Sequence, residues 1–433
     1  MTDSLATKSS APIATPVYVL PLVLVTSLFF LWALGVNLND ILIPHLKKAF
    51  GLSDFQSSLI QVAFFGGYFL AAFPAGRLME RLGYKRGILI GLVMCAAGAL
   101  LFIPAASIGV YGIFLFALFL MACGQSFLEV AANPYVTMLG PAESSERRLN
   151  IAQSFNAVGA FITPYIGKAF ILSGVEYSAI QISAMSSAEI QTYSAAEASR
   201  VKGPYLVIAG IFLLVAVLIY FAKLPEIRES GASEEPRSAA SLRGITAHKH
   251  LLKGVLAQFF YVGAQVGVTS FVIRFVQHAV PGTPERIAAN YLWWHLFGFM
   301  VGRFAGSALM KLIPAPRLLG LFAGGALVCV FVAILSLGMA PVWAVVLIGF
   351  FHSIMFPTIF ALSLKNLGTY TKLGSSLLVM SIIGGAICPA IMGLVSDASN
   401  IQRAFIIPLI CYVYVLYFAV WGHKPTVAVE QLA

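Results

Sequence analysis

Two carboxylic acids in this sequence stand inside long apolar stretches, where they could bind protons, ions or a polar solute. Glu129 is the only acidic or basic residue between Gly109 and Gly140, and Asp40 follows Asn37 by three residues, so that these two share one helix face. An aspartate at the centre of a membrane helix costs roughly 2.5–3.5 kcal/mol to insert, and such residues usually face a cavity. We therefore predict that Asp40 and Glu129 bind and release protons. The alternatives are that Asp40 reaches water at its helix end and that Glu129 makes a purely structural polar contact.

Amide side chains accompany these acids at helical spacing. Gln125 and Asn133 lie four residues before and after Glu129, and Gln153 and Asn156 share one face of the next apolar segment. An apolar pocket that holds a polyhydroxyl ligand must supply such groups, because each hydroxyl loses its water on binding. The pattern therefore predicts a binding site for a monosaccharide.

A second group of polar and aromatic residues lies farther along the chain. To the predicted sugar site we assign Tyr261 and Gln265 from this region, together with Trp32 and Asn37 from the first apolar segment. Trp32 could stack on a sugar ring, although tryptophan at a membrane boundary is more often an interfacial anchor. The same region contains further side chains that could line a pathway or cap an interface: Gln258, Thr269, Arg274, Trp293, Trp294, His295 and His352.

The composition identifies the solvent that these segments meet. Of the 433 residues, 59% are hydrophobic and 10% are charged, whereas soluble domains are about a quarter charged. Apolar runs of about 20 residues, each long enough to cross a bilayer, recur along the chain. The sequence therefore predicts an all-α membrane protein with the lipid bilayer as its surroundings. It contains no phosphate-binding loop, metal cluster or nucleophile triad, so we expect no enzyme activity, no metal and no cofactor.

The net charge of +10 does not indicate a nucleic-acid partner. The basic residues sit in short loops between apolar runs and form no continuous stripe. The five cysteines lie within apolar runs at no metal-binding spacing, which predicts a packing role. Residues 1–16 are polar and lead into the first apolar run without a cleavage site, so we expect an uncleaved first helix and, for the whole chain, a monomer.

Dividing the apolar runs at charge clusters predicts twelve transmembrane helices. A charged linker, 223–252, separates an N-terminal six-helix half, 1–222, from a C-terminal six-helix half, 253–433. The predicted helices span residues 18–43, 55–76, 84–105, 110–138, 149–173, 203–222, 253–276, 285–310, 316–338, 341–366, 373–396 and 403–421.

The two predicted halves echo each other in sequence. Gly76-Arg77-Leu78 recurs as Gly302-Arg303-Phe304, and residues 159–164 recur as 384–389, both about 225 residues later. Parallel duplication of this kind is typical of transporters whose halves rock about a site at the bilayer midplane. Lys and Arg concentrate in the loops after even-numbered helices, which predicts a multi-pass protein of the cell inner membrane with both termini cytoplasmic.

The loop after the second predicted helix resembles a known motif. Residues 76–86 read GRLMERLGYKR, which is similar to the cytoplasmic motif G-x-L-x-D-R-x-G-R-R of the major facilitator superfamily. Glycines let helix ends approach closely, and ion pairs can hold one conformation and break in the other. The alternative is a generic positively charged loop. We assign the conformational role to Gly76, Arg77, Glu80, Arg81 and Arg86, and to Arg303 in the echo.

Longer segments resemble the fucose/galactose/glucose/proton symporter family of that superfamily. The likeness runs from about residue 18 to 420 and is carried by residues 29–32, 37–42, 128–134, 149–156, 261–265 and 356–360. It implies the major facilitator fold, with two pseudo-symmetric six-helix halves, and sugar/proton symport by alternating access.

The resemblance also implies roles for single residues. In this family the acids that match Asp40 and Glu129 are associated with proton coupling, and the residues that match Asn37, Gln153 and Asn156 line the sugar cavity.

The identity of the sugar is less closely defined by the resemblance. Gln265 resembles the fucose branch, whereas Thr269 and Phe356 replace a tryptophan and a tyrosine of that branch. L-fucose is therefore the leading candidate, with glucose or galactose and N-acetylglucosamine as alternatives. A sugar sensor with the shape of a transporter is the alternative of a different class.

Overall fold

The computed structural model describes residues 19–50, 52, 54–170, 185–222, 224 and 242–425. Every regular element within these ranges is helical. Most of the predicted linker 223–252 lies outside the described residues, so the domain boundaries remain predictions.

Six long helices form the N-terminal set, and each corresponds to one predicted span. They are α1 Val19–Phe50, α2 Asp54–Leu82, α3 Tyr84–Ile108, α4 Tyr111–Met138, α5 Ser145–Phe170 and α6 Lys202–Phe221. A further helix that hydropathy does not predict, Ser187–Ser199, precedes α6. It begins with a capping box in which the Ser186 hydroxyl accepts from the Glu189 amide and the Glu189 carboxylate accepts from the Ser186 amide.

The C-terminal set also contains six spans, two of which are interrupted. Its continuous helices are α7 Lys249–Ala279, α8 Glu285–Leu309 and α9 Ala315–Leu335. The span α10 consists of Met339–His352 and Met355–Ser363, and α11 consists of Thr371–Met380 and Gly384–Ala398. The last span, α12, is Ile406–Tyr417 and continues into the π-helical turn Phe418–Gly422.

Prolines inside two helices free backbone carbonyls for other donors. Proline has no N–H, so the carbonyl four residues before it loses its helical hydrogen bond. Pro134 in α4 leaves the Val130 carbonyl open, and this carbonyl accepts from the Ser375 hydroxyl at 2.9 Å. Pro357 lies just after the break in α10 and leaves the Ser353 carbonyl open. The sequence-based prediction of α10 as one uninterrupted helix is thus corrected at this proline.

Two spans are more polar than the rest. Among the residues that the structure describes, ten helices are long and apolar enough to cross a membrane, judged by length and composition, and α5 and α8 are not among them. These two pack against each other where the N-terminal and C-terminal sets meet. Gln153 of α5 and Arg303 of α8 are buried and bonded to each other at this boundary.

The two sets meet through a few helix pairs. The first part of α11 packs against α2 and α4, and α5 packs against α8 and the second part of α10. Several of these contacts lie at one end of the bundle, which we call the basic end. This end carries the loops α2–α3, α4–α5, α8–α9 and α10–α11, where most of the Lys and Arg residues lie.

Candidate functional site

Glu129 lies within α4 and its side chain is completely buried. Its neighbours Leu128, Val130 and Ala131 are also buried, and neither carboxyl oxygen has a hydrogen-bond partner among the described residues. Asn133, one helical turn away on α4, is also completely buried. An unpaired buried charge is costly, so a carboxyl group in this place is suited to binding a proton.

The second predicted proton-coupling acid is Asp40. The backbone of α1 includes this position, but the side chain lies outside the described residues. Its role therefore stays a prediction.

Trp32, Tyr68 and Gln125 form a buried hydrogen-bonded chain between α1, α2 and α4. The Trp32 indole N–H donates to the Tyr68 hydroxyl at 2.6 Å, and that hydroxyl donates to the Gln125 side-chain oxygen at 3.3 Å. The Gln125 side chain passes so close to α1 that a Cβ at Gly35 would lie 2.2 Å from its amide nitrogen. Sequence reasoning missed Tyr68, because a tyrosine in an apolar run has the same pattern as a packing aromatic.

Asn133, Gln153 and Arg303 form a second chain, which joins the two sets of helices. The Gln153 amide nitrogen donates to the Asn133 side-chain oxygen at 3.1 Å. The Arg303 guanidinium donates to the side-chain oxygen of Gln153 at 2.9 Å and to its backbone carbonyl at 2.7 Å. A third donor of Arg303, Nε, bonds the Ser353 carbonyl that Pro357 leaves open, at 2.6 Å.

Arg303, to which the sequence echo assigns a conformational role, lies in the C-terminal part of α8 and is only 3% exposed. Its side chain binds the opposite set of helices instead of forming a loop ion pair. No local pattern in the sequence indicates this partner, because Gln153 lies 150 residues away.

The remaining predicted sugar-site residues are bonded within their own set of helices. Asn37 donates to the Ala33 carbonyl at 2.7 Å, and Asn156 donates to the Phe29 carbonyl at 3.2 Å. The buried Tyr261 donates to the His352 carbonyl at 3.0 Å, and Gln265 is half-buried. The structure thus brings Asn133 and Gln153 into direct contact but does not join Tyr261 to them.

Gln258 has a distinct environment on α7. It is completely buried, and neither its side-chain oxygen nor its nitrogen has a hydrogen-bond partner in the described ranges. An unpaired buried amide is costly unless a ligand or water meets it. Gln258 is therefore a stronger candidate for the polar site than its sequence pattern alone indicated.

Two histidines form a buried cluster in the C-terminal set. The His295 ring nitrogens approach the Val345 carbonyl at 3.0 Å and the Thr269 hydroxyl at 3.4 Å. His352 bonds the Tyr412 hydroxyl, and the two imidazole ring centres are 5.9 Å apart. These contacts lie inside the C-terminal set, as expected for residues that hold helices together.

The tryptophans of α8 and Arg274 lie nearer the surface. Trp293 stacks on Phe297 and donates to the Tyr165 hydroxyl of α5 at 3.1 Å. Trp294 and Arg274 are exposed, with the guanidinium of Arg274 over the Phe271 ring. Trp294 and Arg274 are thus placed at the periphery rather than beside Glu129.

The loop motif after α2 lies against the opposite set of helices. Gly76 packs so tightly on α11 that a Cβ there would lie 1.8 Å from the Ser376 hydroxyl. Arg77 forms an ion pair with Glu80 at 3.1 Å, while Arg81 and Arg86 are exposed. These positions suit the predicted conformational role, since a glycine at Gly76 is needed for the close approach.

Further polar contacts join the two sets at the basic end. The Asn150 amide donates to the Thr358 hydroxyl at 3.2 Å, and the buried Glu146 pairs with Lys365. The Lys372 ammonium lies 5.1 Å from the centre of the Tyr84 ring. The sequence did not predict these pairs. Residue spacing shows which side chains share one face of a helix, but it does not show which other helix packs against that face.

Comparison with known proteins identifies the family. The sequence pattern of the Major Facilitator Superfamily matches residues 25–380. The chain is 43% identical over 401 residues to a glucose/galactose transporter of Brucella abortus biovar 1 (strain 9-941), covering 92% of this chain and 93% of the relative. It is also 43% identical over 406 residues to the L-fucose-proton symporter of Escherichia coli (strain K12), covering 93% of each.

The fold agrees with solved structures of the same superfamily. The crystal structure of the transporter FucP in the outward conformation has a TM-score of 0.87 and 42% identity, over 94% of this chain and 99% of that one. The proton:xylose symporter XylE, at 12% identity and a TM-score of 0.74, shares the fold over 95% of this chain and 98% of that one. The chain is therefore a multi-pass membrane protein with the predicted two-half fold, and it belongs to the Major Facilitator Superfamily, with the bacterial L-fucose and glucose/galactose transporters as relatives.

Proposed function

We propose that this protein carries a monosaccharide across the cell inner membrane together with protons, by alternating access. The observation that carries the proposal is the buried carboxyl group of Glu129, which has no described hydrogen-bond partner and stands beside an amide chain that reaches the other half. A group of this kind can be charged only when water or a partner reaches it, so its proton uptake depends on which side of the protein is open.

The orientation and the conformational state belong to the same proposal. The basic end is assigned to the cytoplasm, together with both termini, because Lys and Arg are retained on that side. The contacts of Gly76, Glu146 and Arg303 with the opposite half support a state that is closed toward the cytoplasm.

L-fucose is the proposed substrate, with glucose or galactose and N-acetylglucosamine as alternatives. Identity does not separate the first two, since both relatives are 43% identical. The choice rests on Gln265, an uncharged amide that resembles the fucose branch. Phe356, which lacks a hydroxyl, packs against the rings of Tyr261 and Phe360.

Purified protein in liposomes tests the proposed symport. With a pH-sensitive dye on the outside, addition of a transported sugar should make the medium more alkaline, because the protons leave with the sugar. A panel of the four sugars identifies the substrate in the same assay. The absence of alkalinisation with every sugar, or uptake that is unchanged without a proton gradient, would overturn the proposal of coupling.

A sensor is the alternative of a different class. A sensor binds sugar but exchanges nothing across the bilayer. Counterflow of radiolabelled sugar into preloaded liposomes separates the two functions, and we expect rapid counterflow.

Gln153→Ala is expected to weaken sugar binding by roughly five- to 150-fold, because a buried hydrogen bond whose partner is left unpaired costs about 1–3 kcal/mol. Equilibrium binding of the transported sugar to purified protein measures the effect. Ser154→Ala is the matched control, since the adjacent buried hydroxyl donates only to the Asn150 carbonyl of its own helix. Equal affinities for Gln153→Ala and the control would remove Gln153 from the sugar site.

Asp40→Asn is expected to lose proton-driven accumulation, because an amide cannot titrate in the physiological range. Gradient-driven uptake in liposomes measures this loss. Asn37→Ala, measured in parallel, should instead weaken sugar binding. Full accumulation by Asp40→Asn would leave Glu129 as the proton-coupling acid.

A further inference from the structure

Arg303 is a buried cation that carbonyl oxygens hold in place. Its guanidinium bonds Ser353 in its own half and Gln153 in the other, and it lies 4.8 Å from the centre of the Phe299 ring. No ion pair with a carboxylate involves Arg303 within the described ranges. The strength of this contact between the halves therefore depends on how well Gln153 presents its oxygens.

The chemistry of arginine fixes the direction of every bond in the chain that follows. Arginine can only donate hydrogen bonds, so the Gln153 side chain must turn its oxygen toward Arg303 and its NH2 group away. That NH2 group meets the side chain of Asn133, which must then present its own oxygen. The Asn133 NH2 group is consequently turned away from Gln153, and it has no hydrogen-bond partner among the described residues.

Glu129 stands one helical turn before Asn133 on α4, at the spacing at which side chains on one helix face can meet. Neither its carboxyl oxygens nor the Asn133 NH2 group has a hydrogen-bond partner among the described residues. A carboxylate at Glu129 only accepts hydrogen bonds, so it matches an amide that offers its NH2 group. The charged form of Glu129 thus favours the same order of donors and acceptors that Arg303 requires at the other end.

Protonation of Glu129 removes this constraint. The neutral acid has an O–H donor beside its acceptor oxygen, so the Asn133 oxygen can now turn toward it. An Asn133 amide that turns its oxygen to Glu129 presents its NH2 group to Gln153, and Gln153 must then turn its own NH2 group toward Arg303. Two donors face each other, and the bond between Arg303 and the Gln153 side chain is lost.

We propose that Asn133 and Gln153 form a relay that transmits the protonation state of Glu129 to Arg303, so that proton uptake loosens the contact between the halves. This inference rests on the proton-coupling role proposed for Glu129 above. It makes Asn133 and Arg303 positioning residues for the coupling. It also sets an order of events, because Gln153 becomes available to a sugar hydroxyl only after the proton is bound.

Other titratable groups lie on the helices that pack against α4. The described groups on α2 are Tyr68, Arg77, Glu80 and Arg81, while the side chain of Asp40 on α1 lies outside the described residues. On α3, α5 and α11 the titratable groups are Tyr84, Lys85, Arg86, Cys95, Glu146, Arg147, Arg148, Tyr165 and Lys372, and the described part of α10 that packs on α4 has none. None of these side chains joins Asn133 to Gln153, so the relay is the hydrogen-bonded route from Glu129 to Arg303 within the described ranges.

The relay can be tested without sugar. Spin labels at Ala142→Cys and Leu312→Cys, two exposed positions in loops of opposite halves, report the opening of the basic end by pulsed electron paramagnetic resonance. The five native cysteines are buried, which favours selective labelling. In lipid nanodiscs, lowering the pH should move the wild-type population from short toward long distances by roughly tenfold, as for a lost hydrogen bond to a charged group.

The variants separate the relay from a structural role of the same residues. Asn133→Leu should remain at short distances at every pH, although Glu129 is present. At every pH, Glu129→Gln should show the long distances that the wild type shows at low pH. Thr358→Val is the matched control, since it removes the bond between Asn150 and Thr358 but no member of the relay, and it should keep the full pH response.

A full wild-type pH response in Asn133→Leu would overturn the relay. Should that variant not fold, a double-mutant cycle between Glu129→Gln and Arg303→Leu gives the same information. The relay requires the two effects on the distance population to be non-additive, and additivity within error contradicts it. A pH response that persists in Glu129→Gln would instead overturn the proposed role of Glu129 itself, so the two failures are distinct.

Discussion

Glu129→Gln is expected to abolish proton-driven accumulation of sugar while exchange across the bilayer continues. Glutamine has the size and hydrogen-bonding capacity of the protonated acid but cannot release a proton. A symporter that carries one proton per sugar can accumulate sugar about tenfold for each unit of pH difference. The variant should reach a ratio of about one, because its only driving force is the sugar gradient.

Two assays on the same liposomes measure this effect. Gradient-driven uptake should be lost, and counterflow between equal sugar pools should be retained. Glu143→Gln, which removes an exposed carboxylate at the basic end, is the control and should behave as wild type in both. Full accumulation by Glu129→Gln would exclude this residue from coupling and leave Asp40 as the candidate.

Arg148→Met is expected to lower the stability of the fold by at least about 1.5–3 kcal/mol, the range for one hydrogen bond to a charged group. Arg148 is 1% exposed, and its guanidinium donates to backbone carbonyls where α4 ends. These include Val136 at 2.7 Å and Pro141 at 3.2 Å, together with Thr137. The last carbonyls of a helix have no partner of their own, so one arginine here closes the end of α4.

Thermal unfolding in detergent with a thiol-reactive dye measures the loss, because all five cysteines are buried and react only on unfolding. Arg148→Lys should lie between wild type and Arg148→Met, since lysine keeps the charge but presents a single donor centre. Arg317→Met, an exposed arginine at the start of α9, should leave the unfolding temperature unchanged. Wild-type stability of Arg148→Met would contradict the proposed closure of α4.

Hydropathy and charge predicted the twelve spans because each must cover the same thickness of hydrocarbon. They missed the helix Ser187–Ser199, which is too polar to register, although Ser186 and Glu189 have the spacing of a capping box. They also predicted α10 without a break, since a proline in an apolar run does not change the hydropathy.

The site was predictable only as far as single helices define it. The four-residue spacing of Gln125, Glu129 and Asn133 identifies one face of α4, and all three are buried as expected for that face. The partner of Gln153 could not be predicted, because Arg303 reaches it through the packing of α5 on α8. The roles of these residues in transport stay predictions until the variants are measured.

The proline that opens the Val130 carbonyl also makes the conformational change depend on water. The Val130 carbonyl, freed by Pro134, meets the Ser375 hydroxyl of the other half only while the basic end is closed. When the halves separate, that carbonyl cannot return to a helical bond, because Pro134 has no N–H to offer. A water molecule must replace Ser375, and another must meet the oxygens of Gln153 that Arg303 leaves. Opening is therefore a hydration step, and solutes that lower the activity of water should favour the closed form of this protein.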